Sequence, residues 1–204
     1  MANNTDNNFY QTIERESVAE FKDRGSRFIA YAFPISSADD FKKRLKELKD
    51  EHPKAVHHCF AYRIGSNGNN FRSSDDGEPS GSAGRPILGQ IDSKGVTNAA
   101  IIIVRYFGGA LLGVPGLINA YKTSASFALQ VNSIVKKPVL INYRLQFDYT
   151  ILNDVMRIVK KNDCQVLKQE LQLFCIMEIA APKTNFESCL LQLKNFKSME
   201  LSAM

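Results

Sequence analysis

Three carboxylates stand within four residues of one another, at Asp75, Asp76 and Glu78, in a segment rich in glycine and proline. Such a cluster can bind a hard cation such as Mg²⁺ or take part in acid–base chemistry. The same residue types also cap turns and helix ends, and the nearby Arg85 can simply pair with one of the acids. The sequence alone leaves both interpretations open, and the turn interpretation is the commoner outcome.

A pair of adjacent histidines, His57 and His58, lies upstream in a segment that alternates in the manner of a β-strand. Alternation sends neighbouring side chains to opposite faces, so the two imidazoles cannot both serve one site. One can approach the acidic loop while the other packs as a structural residue. No catalytic-triad spacing and no nucleophile elbow accompanies them, so a binding role is expected before an enzymatic one.

A second glycine-rich segment follows the strongest apolar run of the chain. Residues 99–104 (AAIIIV) predict a strand that is buried on both faces. Arg105 and Tyr106 follow, and glycines then lead into a helical pattern that begins at about Leu117. A helix N-terminus after such a turn can offer N–H groups to an anion. The glycines can equally serve only a tight turn, because their spacing matches neither a P-loop nor GxGxxG.

These segments together define a candidate binding groove, to which no metal ion and no cofactor is assigned. Its residues are His57, His58, Asp75, Asp76, Gly77, Glu78, Ser80, Gly81, Arg85, Arg105, Tyr106, Gly108, Gly109, Gly113, Gly116, Tyr121 and Lys122.

The composition limits the classes of protein to which the chain can belong. Its 204 residues are 44% apolar, and 26 basic against 21 acidic side chains give a net charge of +5. Most of the basic excess lies in residues 1–137, with 18 basic against 14 acidic side chains, which suits an RNA or ribosome partner as well as a solvated surface. The cysteines form no CxxC pair, and neither a signal peptide nor a membrane-length apolar run occurs. A cytoplasmic protein without a membrane partner is therefore expected.

The elements that must position the groove predict an α+β chain of two domains. The first, residues 1–137, starts with a disordered tail (1–8), and its predicted strands are 12–21, 27–35, 56–64 and 99–104. Its predicted helices are 36–50, 83–90 and one that begins at about Leu117. The outer face of the first helix is rich in lysine and is either solvated or in contact with RNA. After a linker at 136–138, residues 138–204 follow the ferredoxin-like order β-α-β-β-α-β. This domain is predicted to be a module that docks a protein partner, or simply a lid on the first domain.

Four blocks of the sequence resemble, in order, the signatures of the YigZ/IMPACT family. They are SRFIAYAFPI (26–35), HPKAVHHCFAYRIG (52–65), SDDGEPSGSAGRPIL (74–88) and VRYFGGALLGVPGLINAY (104–121). The resemblance implies a first domain similar to the βαβ fold of a small-subunit ribosomal protein, and a second similar to the last ferredoxin-like domain of elongation factor G. Eukaryotic relatives regulate translation initiation, so the resemblance implies a translation-related regulatory protein that binds RNA or the ribosome through a basic, glycine-rich groove.

The chain departs from the family pattern inside that groove. Leu111 stands where the family has a lysine, Asn119 where it has an arginine, and Pro115 where it has a glycine. Two cations that would meet phosphate are therefore missing, and Arg105 and Lys122 are expected to substitute for them in part. The alternative prediction is a metal-assisted hydrolase or a small-molecule-binding protein that uses the Asp75–Glu78 loop.

Overall fold

The computed structural model describes residues 8–204, so the predicted disordered tail lies, apart from Asn8, outside the described residues. The described chain divides into two compact units, which confirms the two-domain α+β fold class. The N-terminal unit is Tyr10–Lys137, and the C-terminal unit is Pro138–Met204 together with residues 8–9. Among the described residues, no helix combines the length and apolar character needed to cross a lipid bilayer.

The N-terminal unit is built around one five-stranded antiparallel sheet in the order β2-β3-β6-β4-β5. Its elements are β1 (Phe9–Ile13), β2 (Ser17–Asp23), β3 (Ser26–Pro34), α1 (Ala38–Glu51), β4 (His57–Ile64), β5 (Asn70–Ser74), α2 (Gly84–Ser93), β6 (Ala99–Tyr106), α3 (Gly113–Gln130) and β7 (Ile134–Pro138). Because β3 and β4 both run antiparallel to β6, the segment β3-α1-β4 is a βαβ unit with β6 inserted between its strands.

Strand β6 is the centre of this sheet and is covered on both faces, as predicted from its uninterrupted apolar sequence. Residues 99–104 are all fully buried. One face of the sheet packs beneath α2 and α3, where Ile87 and Tyr121 join the core. The other face packs beneath α1 through Phe41 and Leu48. The two faces therefore belong to two separate hydrophobic clusters, and β6 contributes to both.

Helix α1 begins as predicted. Ser37 is its N-cap, and Ser37 and Asp40 form a reciprocal capping box that satisfies N–H groups of the first turn. Hydrogen bonds from the hydroxyl and the N–H of Ser36 lower the pKa of Asp40 to about 2. The helix ends at His52, directly before Pro53.

Three predicted elements differ from the structure, each for a local reason. The strand predicted at 12–21 is two strands in two different sheets, because β1 pairs with β7 and Glu14 donates its N–H to the carbonyl of Ser133 before β2 joins the five-stranded sheet. The predicted linker at 136–138 contains the division between the two units, but its residues belong to β7. Helix α3 begins at Gly113 rather than near Leu117, since Pro115 fits a first helical turn, where its missing N–H costs nothing.

The C-terminal unit forms a four-stranded antiparallel sheet in the order β11-β8-β10-β9. Its elements are β8 (Leu140–Asp148), a 3-10 turn (Tyr149–Ile151), α4 (Leu152–Lys161), β9 (Gln165–Glu170), β10 (Phe174–Pro182), α5 (Phe186–Lys194) and β11 (Glu200–Ala203). The predicted order β-α-β-β-α-β is thus present. Cys175 and Cys189 lie in its core, as their apolar surroundings predicted.

Candidate functional site

Asp75 holds the acidic loop in place rather than facing solvent as a free ligand. Its carboxylate accepts N–H hydrogen bonds from Gly81 (2.8 Å), Ala83 (2.9 Å) and Gly84 (2.8 Å). These bonds close the loop and satisfy donors at the start of α2. Burial acts to raise the pKa of Asp75, but the three hydrogen bonds outweigh it and hold the pKa below its ordinary value.

This arrangement predicts an acid-sensitive loop. A carboxylate whose pKa is depressed in the folded state stabilises the protein above its unfolded-state pKa and loses that contribution as the pH falls towards the folded-state pKa. The free energy of unfolding should therefore fall below about pH 4, and less steeply in Asp75→Asn, which cannot titrate. Urea denaturation across a pH series tests this. The exposed Asp50 has no such bonds, so Asp50→Asn should keep the wild-type slope, and equal slopes for all three proteins would contradict the assignment.

Asp76 and Gly77 attach the same loop to the first residues of β4. Both have positive φ angles, +43° and +90°. The Asp76 carboxylate accepts the backbone N–H of His58 (2.6 Å), and its carbonyl accepts a hydrogen bond from Nδ1 of His57 (2.7 Å). The imidazole of His57 thus faces the loop while His58 is buried on the α1 side, where desolvation lowers its pKa. The prediction that the two histidines point apart is confirmed.

Glu78 is the centre of a buried polar network. Its Oε1 accepts hydrogen bonds from Arg105 Nη1 (2.5 Å) and from the Tyr121 hydroxyl (2.7 Å). The Cys59 thiol lies 3.2 Å from that hydroxyl and 3.0 Å from the Asp75 carbonyl. Burial raises the pKa of Cys59 and that of Tyr121, which keeps both groups neutral near pH 7. Cys59 is therefore a structural thiol and not an activated nucleophile.

The position of Arg105 differs from the one that phosphate binding requires. Its side chain is only 6% exposed and pairs with Glu78. A guanidinium in such a pair is already neutralised and desolvated, which argues against the expectation that Arg105 replaces a missing family cation. That expectation stays a prediction.

A pocket of about 420 Å³ opens above this network. His57, Glu78 and Arg105 supply its polar groups, and its apolar walls come from the residue before β4, the end of β6 and the start of α3. The apolar lining residues are Val56, Pro79, Phe107, Leu111, Leu112, Val114 and Leu117, with the backbone of Gly113 among them. The predicted glycine-rich groove is thus a largely apolar pocket with buried charges at its base.

The other candidate residues lie outside this pocket. Ser80, Arg85, Gly109 and Lys122 are exposed, and Gly116 is half-buried in the first turns of α3. Tyr106 belongs to a separate network, in which its hydroxyl lies 2.9 Å from Nδ1 of His52. The apolar walls of the pocket were not predicted, because an apolar residue near a turn gives no sequence signal of lining a pocket. The contact between His52 and Tyr106 was not predicted either, because these residues are far apart in the chain.

The start of α3 offers an anion fewer N–H groups than its position suggests. Pro115 lies in the first turn and has no N–H, and no side chain caps the helix at Leu112. The acidic loop likewise lacks a metal-binding arrangement: within residues 8–204, no three His, Cys, Asp or Glu side chains converge as ion ligands.

These segments also carry the similarity of the chain to known proteins. A family model described as the Impact N-terminal domain matches residues 24–129, which include the acidic loop and the pocket residues. The chain belongs to the IMPACT family. IMPACT family member YigZ of Escherichia coli is 32% identical over 183 residues, which are 88% of this chain and 90% of that relative. IMPACT family member YvyE of Bacillus subtilis is 34% identical over 146 residues, 72% of this chain and 67% of that relative.

A solved structure shares the fold over nearly the whole chain. It is described as the crystal structure of an hypothetical protein, and it aligns with a TM-score of 0.79 and 29% sequence identity. The alignment covers 97% of this chain and 98% of that chain. The fold of this IMPACT family member therefore occurs in a solved structure of the same extent.

Proposed function

We propose that this chain is a translation-related regulatory protein that binds RNA or the ribosome through its N-terminal unit. Membership of the IMPACT family supports the translational role, since the resemblance implies that role for the family. The observation that carries the RNA-binding part is a surface of four cations beside α1. We call this surface, formed by Lys42, Lys46, Lys49 and Arg72, the α1 basic stripe.

The stripe follows from helix and strand periodicity. Lys42, Lys46 and Lys49 are spaced i, i+4 and i+7, so they lie along one flank of α1, and all three are exposed. A hydrogen bond to Asp39 raises the pKa of Lys42. Arg72 lies on the α1 side of the sheet, because it pairs with Tyr62 and its guanidinium lies over Phe60, a ring that packs 4.6 Å from Phe41 of α1. Arg72 projects from β5 over the Phe60 ring, 5.9 Å from its centroid.

The charges of this stripe are mostly uncompensated. Within residues 8–204, Lys46, Lys49 and Arg72 have no carboxylate within ion-pair distance, and Lys42 pairs only with Asp39. The opposite flank of α1 differs, because Arg44 is bound there by Glu16, Glu47 and Glu51. Three unneutralised cations therefore lie along one flank, which suits contact with a phosphate backbone, while Lys43 is a further exposed cation of α1 outside this stripe.

A salt series on paired variants tests this proposal. Binding of wild-type protein to rRNA fragments and purified ribosomal subunits should weaken as salt rises from about 50 to 300 mM. Lys46→Ala with Lys49→Ala should lower the slope of log affinity against log salt by about two, one for each lost phosphate contact. The affinity at moderate salt should fall on the order of tenfold or more.

Two further double variants make the experiment specific. Lys160→Ala with Lys161→Ala removes the same charge from exposed positions of the C-terminal unit and should change little. Arg85→Ala with Lys122→Ala tests the glycine-rich turn, and a loss in this variant alone would return the RNA site to the predicted groove. Absence of wild-type binding at about 50 mM salt would contradict RNA binding altogether.

The predicted protein-docking role of residues 138–204 stays a prediction. Exposed apolar side chains of this unit concentrate on β9, β10 and the turn between them, at Leu167, Leu171, Leu173 and Phe174. Surfaces of this kind are often covered by partners. Deleting residues 139–204 without loss of any partner would remove this role.

A further inference from the structure

The apolar pocket above Glu78 contains two polar atoms whose arrangement neither RNA binding nor the stability of the fold explains. They are Nε2 of His57 and Oε2 of Glu78, which lie 3.9 Å apart. Both residues line the pocket, and its volume of about 420 Å³ falls within the range of sites for small organic molecules. What these two atoms can bind depends on which of them carries a hydrogen.

The hydrogen bond at the other ring nitrogen fixes the tautomer of neutral His57. Nδ1 lies 2.7 Å from the carbonyl oxygen of Asp76, and a carbonyl oxygen can only accept. In the neutral ring, Nδ1 must therefore carry the hydrogen, which leaves the lone pair on Nε2, the nitrogen 3.9 Å from Oε2 of Glu78. Gly77 helps to hold this orientation, since a Cβ at that position would lie 3.3 Å from two ring atoms of His57.

Glu78 Oε2 is the second acceptor. The two hydrogen-bond donors that reach this carboxylate, Arg105 and Tyr121, both bind Oε1. Within the described part of the chain, Oε2 has no hydrogen bond, and Nε2 of His57 lies 3.9 Å from it. A distance of 3.9 Å is too long for a direct hydrogen bond between them. Two acceptors therefore face each other across a gap without a donor.

A single donor with two hydrogens fits this gap. A nitrogen about 2.8 Å from each acceptor would make an angle of about 90° between them, which a primary ammonium group can accommodate. An organic body attached to that nitrogen would lie against Val114, Phe107 and Leu111. The geometry points to a binding site for small molecules that carry a primary amine on an apolar body. The amine donates to His57 and Glu78, and the body fills the apolar part of the pocket.

Benzylamine is the probe that tests this site. Titrated into full-length protein labelled with ¹⁵N, it should saturably shift the His57 ring Nε2 resonance and the amides of Val56 and Leu111–Val114. A ligand of eight non-hydrogen atoms should bind with a Kd on the order of millimolar. Benzyltrimethylammonium keeps the ring and the charge but has no N–H, so it loses both hydrogen bonds. It should bind at least about tenfold more weakly, because one charge-assisted hydrogen bond alone is worth about that factor.

Two variants separate the polar from the apolar contribution. His57→Phe keeps an aromatic ring but removes one of the two acceptors, so the advantage of benzylamine over the trimethyl compound should shrink there to what Glu78 alone provides. Leu111→Ser removes apolar cover at a side chain that is 84% exposed, so folding should be unaffected and both ligands should weaken alike. Equal affinity of the two ligands for wild type, or no saturable shift with benzylamine, would overturn the proposal. The ligand comparison holds even if His57→Phe does not fold.

Discussion

Arg105→Met is expected to lower the free energy of unfolding of the N-terminal unit by about 3–5 kcal/mol. The substitution keeps most of the apolar volume but leaves the Glu78 carboxyl group without its cation in a site where its side chain is only 3% exposed. A buried carboxyl group without a cation destabilises the fold by far more than the intact ion pair stabilises it. The reason is that its loss of hydration is no longer offset by attraction to the guanidinium. Urea denaturation followed by circular dichroism, with hydrogen exchange of the β6 amides to assign the transition, measures this loss.

Two companion variants show whether burial causes the effect. Arg27→Met also breaks an arginine–glutamate pair in the same sheet, but Arg27 is 50% exposed and its pair is screened by solvent, so the loss should be only a small fraction of that for Arg105→Met. Arg105→Met combined with Glu78→Gln leaves no buried charge and keeps an acceptor for Tyr121. We expect this double variant to recover at least about 2 kcal/mol of the loss. A double variant as unstable as Arg105→Met would show that Arg105 acts through packing instead.

Structural features that depend on the repeat of a strand or helix, or on neighbouring residues, could be predicted from the sequence. The opposite directions of His57 and His58 follow from strand alternation, and the burial of β6 follows from its apolar run. The capping box of α1 could be predicted in the same way, because Ser37 and the acids after it act through local backbone geometry. In each case, the cause lies within a few residues of the feature.

The sequence patterns of the edge strands were too weak to predict these strands. Strand β5 has the sequence NFRSS and is mostly exposed, so neither an apolar run nor alternation marks it. It forms because its backbone pairs with β4, an interaction that depends little on side-chain type. Strand β7 contains two lysines and was predicted as a linker for the same reason.

The chemistry of the site depended on contacts that no local pattern encodes. Arg105 follows an apolar strand and precedes a glycine-rich turn, a context that also suits a phosphate contact. Its actual partner, Glu78, lies 27 residues away in the chain. Only the path of the acidic loop, fixed by the bonds of Asp75 and Asp76, brings that carboxylate beneath α3. The structure thus brings the candidates His57, Glu78 and Arg105 together, but other candidates, such as Tyr106 and Lys122, lie elsewhere. The pairing of Arg105 with Glu78 could not be predicted.

The glycines that follow β6 could serve either to bind a ligand or to let two backbone segments pack closely, and their sequence does not distinguish these roles. Gly108 lies directly against the β2–β3 turn, and its N–H donates to the Ser26 hydroxyl (3.2 Å). A Cβ at Gly108 would lie 1.8 Å from the carbonyl carbon of Gly25, and a Cβ at Gly25 would lie 2.7 Å from the carbonyl oxygen of Gly108. The two glycines therefore permit a backbone approach that no other residue pair allows. This contact joins the turn above the pocket to the edge of the sheet.

Gly108→Ala is accordingly expected to cost at least about 4 kcal/mol of unfolding free energy, because the clash is with backbone atoms that cannot rotate away. Two other glycines give matched controls. Gly109 has a positive φ of +87° but no atom within 4 Å of its added Cβ, so Gly109→Ala should cost only about 1 kcal/mol. Gly89 lies in α2 with equally open space, so Gly89→Ala should stabilise by about 0.5–1 kcal/mol. Urea denaturation of the three variants measures the series, and a similar loss for Gly108→Ala and Gly109→Ala would mean that backbone conformation, not close approach, selects glycine at this turn.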